Sequence, residues 1–171
     1  MNYSNYYKTD LTNGVGVRVT LICSGCSVKC PDCFNKETWK FSYGKPYTQE
    51  FEDQILQDLS HPYVQGLSLL GGNPTEQRNI QTITNLCKRV RKELPEKDIW
   101  CWTGHLYEDL KNNLLQAQCL EYIDYLVDGK FVKELYEPDL LFRGSSNQRI
   151  IDVQKSLTTN KICLYLEGNY K

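Results

Sequence analysis

With 171 residues the chain has the size of one domain around one core, and its formal net charge of −1 argues against an electrostatic grip on a nucleic-acid backbone, which requires a basic face. No run of about 18 apolar residues occurs, and the start, MNYSNYYKTD, has no positive cluster followed by an apolar stretch, so neither a membrane span nor a secretory signal is expected. Eight Cys, about 5% of the residues, fall below the roughly 8–10% of a disulfide scaffold. The expected setting is a reducing cytoplasm, with the thiols free for metal or chemistry.

The first candidate strand is VRVTLIC (17–23), which runs straight into a cysteine-rich loop. TQEFEDQILQDL (48–59) then carries apolar residues at three- and four-residue intervals, the mark of an amphipathic helix. The strand LSLLGG (67–72) ends on Gly71 and Gly72, and the helix NIQTITNLCKRVRKEL (79–94) follows. Its basic run KRVRK (88–92) reads as the solvated side of that helix, because its apolar partners recur at helical spacing. IWCWTG (99–104) ends on Thr103 and Gly104; a helix is predicted over 106–120; YLVDG (125–129) ends on Asp128 and Gly129; ICLYLEG (162–168) ends on Glu167 and Gly168. Alternating strands and helices predict an α/β fold with a mostly parallel sheet. In such sheets the C-terminal strand ends gather loops over a ligand, so the five ends are expected to line one cleft. No linker or repeat divides the chain, which reads as a single domain over residues 1–171.

The chemistry concentrates in SGCSVKCPDCFNK (24–36), where Cys26, Cys30 and Cys33 lie within eight positions and Cys23 just upstream. Structural zinc prefers two Cys pairs divided by a long spacer, and these four would leave a spacer of three residues, too short for two knuckles. Cys23 belongs to the apolar strand, where alternation sends it toward the core as an ordinary buried thiol. A cuboidal iron-sulfur cluster is wrapped by closely repeated Cys, and three thiolates leave one of its four irons without a protein ligand. An open iron is a reaction site. The separation C-x3-C-x2-C also differs from the C-x2-C-x2-C run of electron-transfer ferredoxins, which supplies a fourth thiolate.

C-x3-C-x2-C is the signature of radical S-adenosylmethionine enzymes. Together with NGVGVRVTLICSGCSVKCPDCFNKETW (13–39), GGNP (71–74), DIWCWTG (98–104), VDGKF (127–131) and RGSSNQR (143–149), the chain resembles the anaerobic ribonucleoside-triphosphate reductase activating proteins, in order and over nearly its whole length. The resemblance implies a shortened, partial β/α barrel and a 4Fe-4S cluster held by Cys26, Cys30 and Cys33. It implies reductive cleavage of S-adenosylmethionine to a 5'-deoxyadenosyl radical, which takes hydrogen from a glycine of the large reductase subunit and leaves a glycyl radical. Asp32, Cys33 and Phe34 would lie beside the cofactor, with Gly71, Gly72 and Asn73 as the second contact. The implied partners are that subunit and an external electron donor such as a flavodoxin or ferredoxin, and a homodimer is among the assemblies it allows.

Two positions depart from the superfamily pattern. The residue before the last Cys is usually aromatic, but here it is Asp32 and the aromatic is Phe34, which leaves open the side chain that touches adenine. The residue after the two glycines is usually acidic, but here it is Asn73, an amide without negative charge. Arg143 is expected in a loop near the cleft, as a carboxylate or partner contact or simply solvated. Trp100 and Trp102 flank Cys101 on an alternating strand and read as core packing; Cys87, Cys101, Cys119 and Cys163 read as buried thiols. His61 and His105 have no second ligand at metal spacing. An activator of a different glycyl-radical enzyme and a zinc-binding interaction module stand as the alternatives.

Overall fold

The computed structural model describes residues 1–165. Its strands are β1 (Asn2–Asp10), β2 (Arg18–Cys23), β3 (Lys45–Pro46), β4 (Gly66–Gly71), β5 (Asp98–Trp102), β6 (Tyr125–Asp128) and β7 (Arg149–Asp152), and its helices α1 (Gln49–Leu59), α2 (Ile80–Glu93), α3 (Tyr107–Lys111), α4 (Leu114–Leu120) and α5 (Val153–Thr159). The strands form one mixed sheet in the order β3-β1-β2-β4-β5-β6-β7. The central four, β2, β4, β5 and β6, run parallel, while β1, β3 and β7 add antiparallel at the two sides. All four central strands therefore end at the same edge.

Strand alternation sorts the sheet into two unlike faces. Val19 and Leu21 of β2, Leu67 and Leu69 of β4, and Ile99 and Cys101 of β5 are buried in one core with Ile55 and Leu59 of α1 and Ile83, Leu86 and Val90 of α2. The intervening positions build the opposite face, which is buried yet polar: Arg18, Thr20 and Ser68 are fully covered, beside Trp100. Burial alone pulls the Arg18 pKa down, and Asp98 opposes it. The guanidinium donates to Ser68 Oγ at 2.6 Å, to Asp98 Oδ1 at 2.5 Å and to the Leu67 carbonyl at 2.9 Å, and its carbon lies 5.7 Å from the Trp100 ring centroid. A buried cation with this many acceptors is satisfied, so the polar face is a structural layer.

The basic run behaves as the helical spacing predicts: Lys88 and Lys92 face solvent. Its two arginines are engaged within the chain. Arg89 pairs with Glu52 at 3.1 Å and Asp53 at 2.6 Å, and Arg91 pairs with Asp124 and donates to the Tyr122 carbonyl at 2.8 Å.

Three local expectations are corrected. The helix predicted over 106–120 is two helices, because the Asn113 backbone is extended and its side chain accepts from Gln116 N at 3.5 Å, capping α4; an Asn that can bond nearby backbone competes with the helix interior. The strand predicted at 162–168 is reduced, among the described residues, to a single bridge between Leu164 and Ile151, and Glu167 and Gly168 lie outside them. Cys163 consequently sits half-buried in that connection, near the Thr159 hydroxyl at 3.5 Å. Cys87, Cys101 and Cys119 are buried as expected. Asp128, fully buried at the end of β6, accepts from Tyr107 N at 2.8 Å and pairs with Arg149, so this strand-end carboxylate starts α3 and ties β7.

Asp10 closes β1 onto β2. It accepts from Thr12 N at 2.8 Å, Thr12 Oγ1 at 2.7 Å and Thr20 Oγ1 at 2.7 Å. Burial would raise its pKa, but the hydrogen bonds from Asn13, Thr12 and Thr20 outweigh it and hold the carboxyl at about 2. A carboxylate depressed in the fold contributes stability above its ordinary value near 4, which is lost as pH falls through about 2. Asp10→Asn should therefore cost about 1–2 kcal/mol at pH 7, after allowance for solvent screening. Urea denaturation should show this difference shrinking between about pH 4 and pH 2; a difference constant over that range would contradict the assignment.

Candidate metal and cofactor site

The cysteine loop starts where β2 stops, and its main chain is fastened on two sides. Gly25 N donates to Thr38 O at 2.7 Å and Cys26 N to Trp39 O at 3.2 Å, which binds it to the short helical turn Lys36–Trp39. From the exit of β4, Gly72 N donates to Cys23 O at 2.8 Å and Asn73 N to Gly25 O at 2.9 Å. Asn79 Nδ2 reaches Ser24 O at 2.9 Å, and the buried Glu76 carboxylate accepts from Ser27 N at 2.7 Å and Ser27 Oγ at 2.8 Å.

The contact between the two strand exits is too close for side chains. Gly71 has φ +108°, and a Cβ there would collide with the Cys23 carbonyl; a Cβ on Gly72 would come within 2.5 Å of the Gly25 carbonyl oxygen. Only glycine meets both demands at position 71.

Cys26, Cys30 and Cys33 line one cavity of about 150 Å³ together with Gly71 and Gly72. Residues after all four central strands contribute to it: Cys26 follows β2, Gly72 follows β4, Thr103 follows β5 and Gly129 follows β6. Cys26 is buried and Cys30 and Cys33 are half-buried. Burial pushes the Cys26 thiol up, while the backbone N–H groups of Lys29 and Val28 act in the opposite sense. Cys23, at the end of β2, is buried and does not line that cavity, and burial pushes its thiol up to about 12. That thiol is a poor ligand.

A second cavity, of about 530 Å³, shares Cys30, Cys33 and Gly71 with the first and extends past Asp32, Phe34 and Arg143. Asp32 lies 3.3 Å from Lys133 Nζ, and Phe34 is 99% exposed. Asn73 is placed differently from its neighbours: it is 1% exposed, and its Oδ1 accepts from Thr75 Oγ1 at 2.9 Å and Thr103 Oγ1 at 3.0 Å. Its backbone supports the Gly25 carbonyl, and its side chain ties the exit of β4 to that of β5. Arg143 donates to the Gln148 carbonyl at 2.8 Å, so its loop closes on itself beside the larger cavity. His105 Nε2 is 3.9 Å from Glu76.

These residues fit a cluster of several irons. Three thiols and the side-chain-free positions Gly71 and Gly72 line the same cavity, and the fourth thiol, Cys23, does not. Among the described residues no three His, Cys, Asp or Glu side chains gather closely enough for one metal ion, and thiolates that each hold a separate iron stand farther apart than ligands of one ion.

Sequence reading missed Trp102, Phe131 and Gln148, which also line the smaller cavity. Trp102 stacks on Trp100 with ring centroids 5.6 Å apart, and its indole donates to the Phe142 carbonyl at 2.7 Å. Alternation put both tryptophans on one face; only the position of Trp102 at the strand end distinguishes cavity wall from core.

A family profile described as a 4Fe-4S single cluster domain matches residues 12–151. Among curated proteins, the anaerobic ribonucleoside-triphosphate reductase-activating protein of Escherichia coli (strain K12) is 49% identical over 150 residues, covering 86% of this chain and 96% of its own. The protein of the same name from Pasteurella multocida is 48% identical over 152 residues, covering 88% and 96%, and that of Enterobacteria phage T4 is 43% identical over 150 residues, covering 88% and 93%. In class, then, this is a single-cluster iron-sulfur domain. The chain belongs to the family of anaerobic ribonucleoside-triphosphate reductase-activating proteins.

The two glycine contexts predict unequal costs. Gly71 and Gly129 both have positive φ, but the nearest atom to a Cβ on Gly129 is 3.8 Å away. Gly129→Ala should cost about 1 kcal/mol of backbone strain, while Gly71→Ala adds a collision with main chain and should cost more than about 3 kcal/mol. Equal midpoints for the two variants in chemical denaturation would contradict the close-approach account.

Proposed function

We propose that Cys26, Cys30 and Cys33 hold three irons of a 4Fe-4S cluster, and that Gly71 and Gly72 present backbone groups to the methionine part of S-adenosylmethionine. Asp32, Cys33 and Phe34 form the opposite flank of the cofactor, and Asn73 anchors the glycine edge from within. The observation that carries this reading is the single cavity shared by three thiols and two glycines at the ends of four parallel strands. When bound, the reduced cluster and S-adenosylmethionine supply a 5'-deoxyadenosyl radical, which takes hydrogen from a glycine of anaerobic ribonucleoside-triphosphate reductase.

The chain's own residues bind, orient and exclude water. The loop is held by its main chain to the exit of β4, so the thiols keep a fixed distance from Gly71 and Gly72. Small displacements at such a site are costly because the reacting groups must be held in register. The two connected cavities form a cleft that a docking protein would cover, and the large reductase subunit is that cover, keeping water from the radical. Arg143 borders this cleft and contributes to partner contact. A flavodoxin or ferredoxin supplies the electron. The chain acts as a single domain in the cytoplasm, and its sheet is a shortened, partial β/α barrel of the radical S-adenosylmethionine type.

Protein reconstituted without oxygen should bind about four irons with matching sulfide, as a cubane requires. Replacing Cys26, Cys30 and Cys33 together by Ala should abolish binding, and Cys23→Ala should keep it; iron retained by the triple variant would refute the ligand set. With the large reductase subunit, reductant and S-adenosylmethionine, electron paramagnetic resonance should show a glycyl-radical doublet for wild type and none for Cys30→Ala. A doublet of equal size from Cys30→Ala would overturn the proposal.

A further inference from the structure

The turn Lys36–Trp39 holds the cysteine loop and also carries charge. Its Thr38 and Trp39 carbonyls accept from Gly25 N and Cys26 N, and Trp39 lines the cavity that Cys26, Cys30 and Cys33 share. Lys36 and Lys40, at its start and just past its end, are exposed and line neither that cavity nor the larger one. Arg78, from the segment before α2, is exposed as well. Its guanidinium carbon lies 4.5 Å from the Phe41 ring centroid, and that ring packs on Gly25, where a Cβ would come within 2.1 Å of it. Among the described residues none of these three cations is in an ion pair. The carboxylate of the turn, Glu37, accepts from the Tyr43 hydroxyl at 2.8 Å, and Asp32 of the cysteine loop is 3.3 Å from Lys133 Nζ. A chain of net charge −1 thus keeps unmatched positive charge beside the segment that fastens its cysteine loop. The arginines elsewhere on the sheet and α2, Arg18, Arg89, Arg91 and Arg149, all pair with carboxylates. Lys88 and Lys92 are exposed too, but they lie about 15 Å or farther along α2 from Arg78, toward the opposite edge of the sheet.

The proposed function needs an electron to reach the cluster while the cleft holds S-adenosylmethionine and the reductase covers it, so the electron needs a second face. Resting on that reading, we propose that Lys36, Lys40 and Arg78 form the docking surface for an acidic flavodoxin, which delivers its electron through the back of the cysteine loop. The carrier is oxidised by one electron and the 4Fe-4S cluster is reduced by one; no bond is made or broken in this chain. Electron-transfer encounters are small and weak, so a charged patch serves without an apolar groove, and complementary charge raises the encounter rate. Tyr43, whose N–H donates to the Lys40 carbonyl at 3.1 Å, is 38% exposed. It sets an aromatic ring beside the charges, a surface on which the apolar edge of a flavin packs; this favours a flavin carrier over one that presents an iron-sulfur cluster.

The test compares two double variants with the same change of charge, Lys40→Glu/Arg78→Glu at the patch and Lys88→Glu/Lys92→Glu on α2, each reconstituted without oxygen. Stopped-flow reduction of the cluster by reduced flavodoxin at low salt should slow about tenfold or more for the patch variant and less than about twofold for the α2 variant. The difference should shrink as salt rises. Calorimetric titration with oxidised flavodoxin, which transfers no electron, should show the same order of weakening, whereas photoreduced deazaflavin, a small reductant, should reduce all three proteins alike. If Lys40→Glu/Arg78→Glu does not load iron, Lys36→Glu/Lys40→Glu must show the same losses. Equal slowing of the patch and α2 variants, or unaltered reduction by flavodoxin in a loaded patch variant, would overturn the proposal. So would a patch variant that keeps its reduction by flavodoxin and loses that by an acidic ferredoxin, or one that loses only the glycyl radical formed with deazaflavin as reductant, which would assign the patch to the reductase. Wild type that binds no four-iron cluster would instead refute the reading on which the proposal rests.

Discussion

Two main-chain hydrogen bonds, Gly72 N to the Cys23 carbonyl and Asn73 N to the Gly25 carbonyl, hold the exit of β2 against the exit of β4, and the rest of the site follows from that approach. The separation is possible only because positions 71 and 72 carry no side chain. With the two strand ends in contact, the cysteine loop has to turn over the edge of the sheet, where the residues after β5 and β6 are also delivered. Asn79, Glu76 and Asn73 then serve the same junction with side chains, each bonding to backbone or hydroxyl groups that the close approach has removed from water. Buried polar groups arranged in this way favour one geometry, because any other leaves some of them unpaired.

The two faces of the sheet divide the work. One is apolar and packs on the helices, which stabilises the parallel strands and so fixes where their ends lie. The other carries Arg18, Thr20, Ser68 and Trp100 under complete cover. Arg18 joins β2, β4 and β5 through Ser68, the Leu67 carbonyl and Asp98, so the three strands that present the cysteines, the glycines and Trp102 are cross-linked from beneath. Removing one partner of such a network strands a buried charge.

The parts that were legible from the sequence are those with strong local periodicity or close spacing. Runs of β-branched and aromatic residues marked β2, β4, β5 and β6, helical spacing marked α1 and α2, and C-x3-C-x2-C marked the cysteine loop at the cavity. β1 was missed because its tyrosines are mixed with Asn, Ser and Lys, as suits a strand near the side of the sheet with most of its residues half-exposed or exposed; β7 offers only Ile150 and Ile151 between charged neighbours. Both strands owe their place to pairing with a neighbour, which no window on the sequence contains. The site shows the same limit. Asn73 lies beside the glycines in sequence, yet its side chain turns into the junction and bonds to Thr75 and Thr103, and Trp39 and Trp102 join the cavity through loop closure and strand length.

The central claim is that three thiols at this edge leave one iron of four for the cofactor. Mössbauer spectroscopy of anaerobically reconstituted, iron-57-enriched protein tests it most directly. The account predicts that S-adenosylmethionine alters the signal of one iron in four and leaves the other three with their thiolate character. Four irons that all remain unchanged with saturating S-adenosylmethionine would contradict it.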